Sequence, residues 1–288
     1  MEEFAIETKG LCRQLGRFSL QNVNLQLPRG YIMGFVGPNG AGKGTTIKLL
    51  MNLLRPDSGQ IRVLGRDYQR DGNEIKSRVG YVGEEQWFYE ESTVAWTGEF
   101  VSRYYRSWDE RQFAELLSKF NIDRSKRIKQ LSKGMRVKLA LALALAHRPE
   151  LLIMDEPTSG LDPLVRKEVL QELLAVMQDE RRSVFFSSHI TEDLEKVADY
   201  VTFINGGQVI LTGEKDDLED RYQSVRFPIH DGSERIKESL LAFHSDGFNG
   251  IGVTDNLASL RGQFPGVAFD VRKLGLDDIL SLLVKGEI

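Results

Sequence analysis

A glycine-rich stretch near the start of the chain has the residue types and spacing of a phosphate-binding loop. Gly37, Gly40 and Gly42 allow the backbone to turn tightly, so that its N–H groups point inward at an anion. Lys43 follows and supplies a positive charge for the β- and γ-phosphates of a nucleotide. The stretch joins the apolar run 31–36, which predicts a buried strand, to a helix whose positive end faces the same anion. This order of strand, loop, lysine and helix predicts phosphate binding.

The residue after this lysine departs from the usual motif. A phosphate-binding loop normally continues with Ser or Thr, whose hydroxyl reaches Mg²⁺, but this chain has Gly44. Thr45 can reach an α-phosphate oxygen. At the metal it is a poor replacement, because one further position along a helix is rotated by about 100°. The sequence therefore predicts weakened metal affinity.

A carboxylate pair is the second candidate. Asp155 and Glu156 follow the apolar run 151–154, which predicts another buried strand. A carboxylate at the carboxyl end of a buried strand, beside a phosphate loop, is placed to hold Mg²⁺. Glu156 can polarise a water that attacks the γ-phosphate. Alone, such a pair is more often a solvated turn, so this interpretation depends on the phosphate loop in the same chain.

Three further segments complete a resemblance. Residues 131–135 (LSKGM) stand about twenty positions before Asp155, residues 159–162 (SGLD) follow it, and residues 187–189 (SSH) end a predicted strand. With the loop and the carboxylates, they make the chain resemble the nucleotide-binding subunit of ABC transporters across roughly residues 4–213. In that family the three segments are the signature loop, the D-loop and the switch histidine.

The resemblance implies an α/β fold. It consists of a P-loop NTPase core with a mostly parallel sheet, an antiparallel β subdomain and an inserted helical subdomain at about residues 84–147. The nucleotide-binding domain then spans residues 1–213, and residues 214–288 form a small C-terminal accessory module without assigned chemistry. The alternation of strand and helix patterns independently indicates a mostly parallel α/β sheet. A terminal helix is expected at Leu276 to Val284.

The resemblance also implies the cofactors ATP and Mg²⁺ and roles for individual residues. Catalysis is expected to involve Lys43, Glu156 and His189, whereas His147, His230 and His244 have no comparable setting. The expected metal residues are Asp155 and Glu84. Glu84 stands where the family has a glutamine, and Gln86 is close enough to leave this alignment open.

The nucleotide contacts implied by the resemblance lie in three parts of the chain. They are Gly37, Asn39, Gly40, Ala41, Gly42, Lys43, Gly44, Thr45, Thr46, Ser132, Gly134, Leu15 and Phe18. The aromatic residue that stacks on adenine in the family aligns best with Leu15, and Phe18 is the alternative. A leucine covers a purine face but has no ring for stacking.

The chain carries one set of these motifs. In the family, two such domains enclose two ATP molecules, and Ser132 and Gly134 would then meet the γ-phosphate held by Lys43 of the other chain. The second ATP-binding subunit is a copy or a paralogue, and the resemblance implies a separate transmembrane permease. Trp87, Phe88 and Tyr89 lie beside the expected docking position of that permease, and some of these rings are predicted to be exposed.

Composition excludes several other classes of protein. The 288 residues contain 38 Lys and Arg against 42 Asp and Glu, which argues against nucleic-acid binding. The single cysteine excludes a disulfide framework, and no apolar run approaches the length of a membrane span. We therefore expect a cytoplasmic protein, peripheral at the cytoplasmic face of the membrane, that contacts the membrane only through the permease.

Two functions from different classes remain open on the sequence. The first is an ATP-hydrolysing transporter subunit, with Glu84 and the LSKGM signature resembling bacterial exporters. The alternative is a regulatory ATP-binding module with little turnover, which Gly44 favours and the intact Asp155, Glu156 and His189 oppose. A family member acting on DNA or ribosomes is disfavoured by the acidic balance.

Overall fold

A computed structural model describes residues 3–229 and 233–285, so that His230 lies outside the described residues. The chain divides into two compact units, Met1–Val209 and Ile210–Ile288, and each is considered by itself. No helix in the described part of the chain is long and apolar enough to cross a bilayer.

The first unit is built on two sheets. Their strands are β1 (Phe4–Leu15), β2 (Phe18–Pro28), β3 (Ile32–Val36), β4 (Ser58–Val63), β5 (Val79–Val82), β6 (Leu151–Met154), β7 (Ser183–Ser188), β8 (Tyr200–Asn205) and β9 (Gln208–Glu214), the last of which begins in the first unit and continues past its boundary at Val209. A six-stranded sheet has the order β5-β6-β7-β3-β8-β9, and its pairs from β5 to β8 are parallel. Strands β3, β6 and β7 are buried along their whole length. Burial on both faces accounts for the continuous apolar sequences of β3 and β6, whereas β7 also contains buried serines.

Helices of the first unit cover the parallel sheet and form the insertion between β5 and β6. They are α1 (Lys43–Leu50), α2 (Tyr68–Arg78), α3 (Val94–Ser102), α4 (Glu110–Lys119), α5 (Lys133–Ala146), α6 (Pro163–Val176) and α7 (Thr191–Val197), with a 3₁₀ turn at Ile128–Gln130. Asp162 caps α6 by accepting hydrogen bonds from the N–H groups of Leu164 and Val165. Side-chain caps of this kind also begin α3, α4 and α5.

The parallel register brings the strand ends to one edge. Val36 pairs with Ser188, and Val82 pairs with Met154. The segments that follow β3, β5, β6 and β7 therefore emerge together at the carboxyl edge of the sheet, where ligands bind in open α/β sheets.

A three-stranded antiparallel sheet, β2-β1-β4, supplies one more element to this edge. Leu15 and Phe18 are paired across the tight turn between β1 and β2, so both side chains stand at the tip of one hairpin. Gly16 in this turn has a φ of 57°, a conformation in which glycine has no steric penalty.

The second unit contains a small antiparallel fold. Its elements are α8 (Lys215–Arg221), β10 (Gln223–Pro228), α9 (Ser233–Glu238), β11 (Ala242–Ser245), β12 (Asn249–Thr254), α10 (Leu257–Gln263), β13 (Asp270–Lys273) and α11 (Leu276–Lys285). The sheet order is β11-β12-β10-β13, and helices follow β10 and β12 in the chain. This is the split βαβ arrangement of ferredoxin-like folds. The expected terminal helix is confirmed as α11. The division of the chain into functional domains stays a prediction.

Candidate active site

The glycine-rich loop runs from the end of β3 to the start of α1. Gly40 and Gly42 have φ values of 81° and 115°, and a Cβ at Gly37 would lie 2.1 Å from the Ile204 carbonyl oxygen. Gly42 is also the N-cap of α1 and provides no capping side chain. The N–H groups of the first helical turn are therefore available to an anion.

Lys43 folds back over this loop. Its Nζ donates hydrogen bonds to the carbonyl oxygens of Gly37 (2.6 Å) and Pro38 (3.2 Å). The same Nζ lies 3.1 Å from Glu156 Oε1, and both side chains are buried. Apart from this ion pair, Glu156 Oε1 accepts no hydrogen bond from the described residues. The pair compensates two buried charges, and a phosphate would compete with Glu156 for the ammonium group.

Ser187 connects the two carboxylates that follow β6. Its hydroxyl donates to Asp155 Oδ1 (2.7 Å) and accepts from the Glu156 N–H (3.0 Å). Burial raises the pKa of the Asp155 carboxyl, and the charges of Glu84 and Glu156 raise it further against the lowering effect of Ser187. Glu156 itself has a φ of 48°, a left-handed conformation that is uncommon outside glycine. The loop therefore directs two neighbouring carboxylates to different partners.

His189 approaches the other oxygen of Glu156. Its Nδ1 lies 2.6 Å from Glu156 Oε2. Because a carboxylate only accepts hydrogen bonds, Nδ1 carries the proton in this contact. Glu156 is thus held between Lys43 and His189, so the structure brings these three residues together; their catalytic roles stay a prediction.

These groups surround a cavity of about 550 Å³. Its lining residues are Leu15, Phe18, Asn39, Gly40, Gly42, Lys43, Gly44, Thr45, Lys48, Glu84, Asp155 and Glu156. Glu84 rather than Gln86 faces it, because Gln86 Nε2 donates to the carbonyl oxygens of Gly83 and Glu84. A larger cleft of about 760 Å³ lies beside α2 and β4, but its lining includes neither the glycine loop nor the carboxylate pair.

Some predicted nucleotide contacts do not line this cavity. Thr46 is buried and donates its hydroxyl to the Gly42 carbonyl oxygen (2.9 Å), so its side chain supports the loop from behind. Ala41 is buried as well, and its carbonyl oxygen accepts from the Gly207 N–H. Along with Gly37, these residues shape the backbone of the loop.

The signature residues lie elsewhere on the first unit. Ser132 caps α5 through the Met135 N–H, and Gly134 packs so closely that a Cβ would lie 2.9 Å from Val165 Cγ1. Neither residue lines the cavity of its own chain. Lys133 Nζ donates to the Ser159 carbonyl oxygen (2.8 Å), which ties the signature loop to the D-loop segment.

The residues around Gly44 fit Mg²⁺ only in part. A Cβ at position 44 would lie 3.2 Å from Asp155 Oδ2, so this oxygen stands next to the place of the usual hydroxyl-bearing side chain. Within residues 3–229 and 233–285, no group of three or more His, Cys, Asp or Glu could hold a metal ion. A magnesium ion here needs phosphate and water oxygens besides Asp155, as is usual for nucleotide sites.

Two residues of the site are not identified by the sequence motifs. Lys48 lines the cavity one helical turn beyond Gly44, and the spacing i, i+4 was an available signal. Ser187 was noted only as a neighbour of His189, and its bridging role depends on the register between β6 and β7.

A phosphate loop between a buried strand and a helix, with an acidic residue at the end of a neighbouring parallel strand, defines a P-loop NTPase. The ABC transporter family profile matches residues 20–159. The bacitracin transport ATP-binding protein BcrA of Enterococcus faecalis is 30% identical over 250 residues, covering 85% of this chain and 81% of the relative. The chain belongs to the ABC transporter family as an ATP-binding subunit, and it is an ATPase.

Two further comparisons agree with this assignment. The lantibiotic transport ATP-binding protein SrtF of Streptococcus pyogenes is 37% identical over 207 residues, covering 71% of this chain and 88% of the relative. A solved ATP-binding subunit of an ABC transporter superimposes with a TM-score of 0.68 at 28% identity, covering 75% of this chain and 92% of the other.

Proposed function

We propose that this subunit hydrolyses ATP to drive export through a separate membrane permease. The observation that carries the proposal is the contact of Glu156 with both Lys43 and His189 beside the phosphate loop. Export is supported by the relatives named for transport of bacitracin and of lantibiotics. The permease is the membrane component that an ATP-binding transporter subunit requires.

In this mechanism, Lys43 leaves its loop carbonyls and binds the β- and γ-phosphates. Glu156 Oε1, released from the ammonium group, accepts a hydrogen bond from the attacking water and raises its nucleophilicity. His189 holds Glu156 through Oε2 and keeps the carboxylate oriented. The N–H groups of the first turn of α1 stabilise the negative charge on the phosphates.

Bound Mg²⁺ would neutralise phosphate charge in the transition state. Asp155 Oδ2 and Glu84 are the oxygen donors that this chain provides near it. Ser187 keeps Asp155 oriented through Oδ1, which leaves Oδ2 on the side of Gly44.

A second chain completes the site in this proposal. Ser132 begins a helix of 14 residues, so its end carries a partial positive charge suited to a phosphate. Ser132 is exposed and lies outside the cavity of its own chain, so it is accessible to the nucleotide of a copy or a paralogue. Gly134 is buried and lets the start of α5 pack closely against Val165. The subunit would then work at the cytoplasmic face of the membrane, beneath the permease.

The exposed rings before α3 supply the proposed permease contact. Trp87 is 88% exposed and Tyr89 is 65% exposed, so the prediction that some of these rings are accessible is confirmed. Exposed aromatic side chains are favoured anchors of protein interfaces.

The mechanism is tested by ATPase rates of His189→Ala, with His244→Ala as a matched control. His244 lies on β11 of the second unit and is exposed. We expect His189→Ala to lower kcat by about 10²-fold or more with little change in ATP affinity, because the general base loses its support. Equal rates in both variants would contradict the role of His189.

The transport function is tested by isolating the chain from detergent-solubilised membranes. We expect an integral membrane protein to copurify, and replacement of both Trp87 and Tyr89 by Ala to reduce its recovery while ATP binding persists. Failure of any integral membrane protein to copurify would instead favour a soluble role, and ATP binding without hydrolysis would favour the regulatory alternative.

A further inference from the structure

Two functional parts of the first unit meet at one ion pair. Residues 84–92, named here the linking segment, join β5 to α3 and contain Glu84 of the cavity and the exposed Trp87 and Tyr89. Residues 131–135 are the signature loop. Glu90 belongs to the linking segment, and Arg136 immediately follows the signature loop.

The contact between these two side chains is bidentate. Arg136 donates from Nη1 and Nη2 to the two oxygens of Glu90, at 2.5 and 2.8 Å. Arg136 Nε also donates to the Leu131 carbonyl oxygen (3.4 Å), and the Arg136 N–H donates to the Ser132 carbonyl oxygen (3.0 Å). The hydrogen bonds from Arg136 lower the pKa of Glu90, so the pair is ionised. The Arg136 guanidinium group therefore contacts both Glu90 of the linking segment and the Leu131 carbonyl oxygen of the signature loop.

Backbone hydrogen bonds join the linking segment to residues 128 and 129, which precede the signature loop. The Lys129 N–H donates to the Glu90 carbonyl oxygen (3.0 Å), and the Ile128 N–H donates to the Ser92 carbonyl oxygen (2.9 Å). Glu91 pairs with Arg127 and Lys129. Within the part of the chain that the structure describes, Glu90 is the residue of the linking segment whose side-chain hydrogen bonds reach beyond residue 130 into α5.

Tyr89 of the linking segment belongs to an aromatic cluster. The Tyr89 ring makes edge contacts with Trp96 and Phe100, and the Phe100 ring continues the cluster to Tyr104. Tyr89 directly precedes Glu90 in the chain. The exposed rings and Arg136 are thus connected through one peptide unit and one charge-assisted contact.

We propose that Glu90 is a positioning residue that, through Arg136, sets the signature loop relative to the linking segment. The inference rests on the proposed function, because the signature loop matters for catalysis only if it completes the site of a second chain. Occupation of the exposed rings by a permease then determines where Ser132 is presented. Glu90 itself touches neither ATP nor water in this scheme.

A purely structural role of the Glu90–Arg136 ion pair would give different results from a positioning role. Exposed salt bridges contribute little to global stability, and the Glu90 side chain is 50% exposed. A positioning role instead changes the local dynamics and the catalytic rate of a chain whose thermal stability is unchanged. The matched control is Glu99→Gln, because Glu99 lies in the same insertion and pairs with Arg103 at 2.7 Å without reaching the signature loop.

The experiment compares Glu90→Gln and Glu99→Gln in the full chain. Hydrogen exchange of peptides covering residues 131–136 is expected to quicken by roughly twofold to fivefold in Glu90→Gln only, as expected for loss of one exposed ion pair. kcat is expected to fall by a similar factor, with unchanged ATP affinity and Tm. The charge exchange Glu90→Arg with Arg136→Glu is expected to recover part of both effects.

The outcomes separate the inference from the proposed function. Unchanged exchange in Glu90→Gln, or equal changes in Glu99→Gln, would overturn the inference while leaving the transporter function intact. Absence of hydrolysis in the unaltered chain would count against the proposed function, and the exchange measurement would still decide the role of Glu90.

Discussion

Gly44 leaves space that the Asp155 carboxylate occupies. A side chain at this position brings its Cβ to 3.2 Å from Asp155 Oδ2, which is tight, and a Ser adds a hydroxyl that Mg²⁺ can use. We expect Gly44→Ser to strengthen Mg²⁺ binding by about 1–3 kcal/mol. The Mg²⁺ concentration for half-maximal hydrolysis is then expected to fall roughly fivefold to hundredfold. The measurement is a Mg²⁺ titration of the ATPase rate.

Gly44→Ala distinguishes the effect of the serine hydroxyl from the effect of a Cβ close to Asp155. Alanine brings the same Cβ against Asp155 without a ligand, so its Mg²⁺ requirement is expected to equal or exceed that of the natural chain. Superimposable curves for Gly and Ser would show that a water already takes the place of the hydroxyl. Activity only in the Ser variant would favour the regulatory alternative.

At this scale, motif spacing predicted which residues meet, but not how they are held. The loop, Asp155, Glu156 and His189 follow successive strands of a parallel sheet, so their convergence follows from the fold class. The bridging of Asp155 and Glu156 by Ser187 depends on the pairing of Met154 with Phe186 in β6 and β7. No local pattern contains that register.

The end of α5 contains a buried histidine that makes stability depend on pH. His147 is 1% exposed and stacks on Tyr105 with a centroid distance of 3.9 Å. Burial lowers the pKa of His147 to about 4. Between about pH 6.5 and pH 4 the unfolded chain therefore binds a proton that the folded chain does not, and the free energy of unfolding rises with pH across this interval.

We expect this histidine to account for about 2 kcal/mol of the loss in unfolding free energy between pH 7 and pH 5. Urea unfolding at both pH values measures it. His147→Phe retains a ring against Tyr105 but cannot titrate. Its decrease in unfolding free energy between pH 7 and pH 5 is therefore expected to be about 2 kcal/mol smaller than that of the unaltered chain. An NMR titration that gives His147 an ordinary pKa would contradict the argument.

Elements with one dominant local signal were predictable, and those that depend on distant packing were not. The apolar run 151–154 coincides with β6, whose residues are all buried. In the second unit, Gly250 and Gly252 interrupt the pattern of β12, although both are required: a Cβ would lie 2.6 Å from the Phe227 ring or 2.4 Å from Leu240. The sequence therefore predicted a weakly patterned module where the chain forms a four-stranded sheet.

In the proposed dimer, each chain would contribute to two different ATP sites. The cavity contains the phosphate loop and the carboxylates, whereas Ser132 and Gly134 lie outside it at the start of α5. A single chain would then bind the phosphates from one side only. In the proposed dimer, burial of ATP between two chains would supply the missing contacts and exclude water, which would strengthen the electrostatic interactions of the site.

We therefore expect ATP to produce a dimer when hydrolysis is blocked. Glu156→Gln keeps the size of the side chain and removes its charge, so it is expected to bind ATP, hydrolyse it slowly and elute at twice the mass of one chain in light scattering. Adding Lys43→Ala removes the phosphate contact and is expected to restore the monomer. A Glu156→Gln chain that binds ATP yet stays monomeric at high protein concentration would contradict a homodimer. In that case either the second subunit is a paralogue, whose addition with ATP is expected to form the complex, or the assignment of Glu156 is wrong.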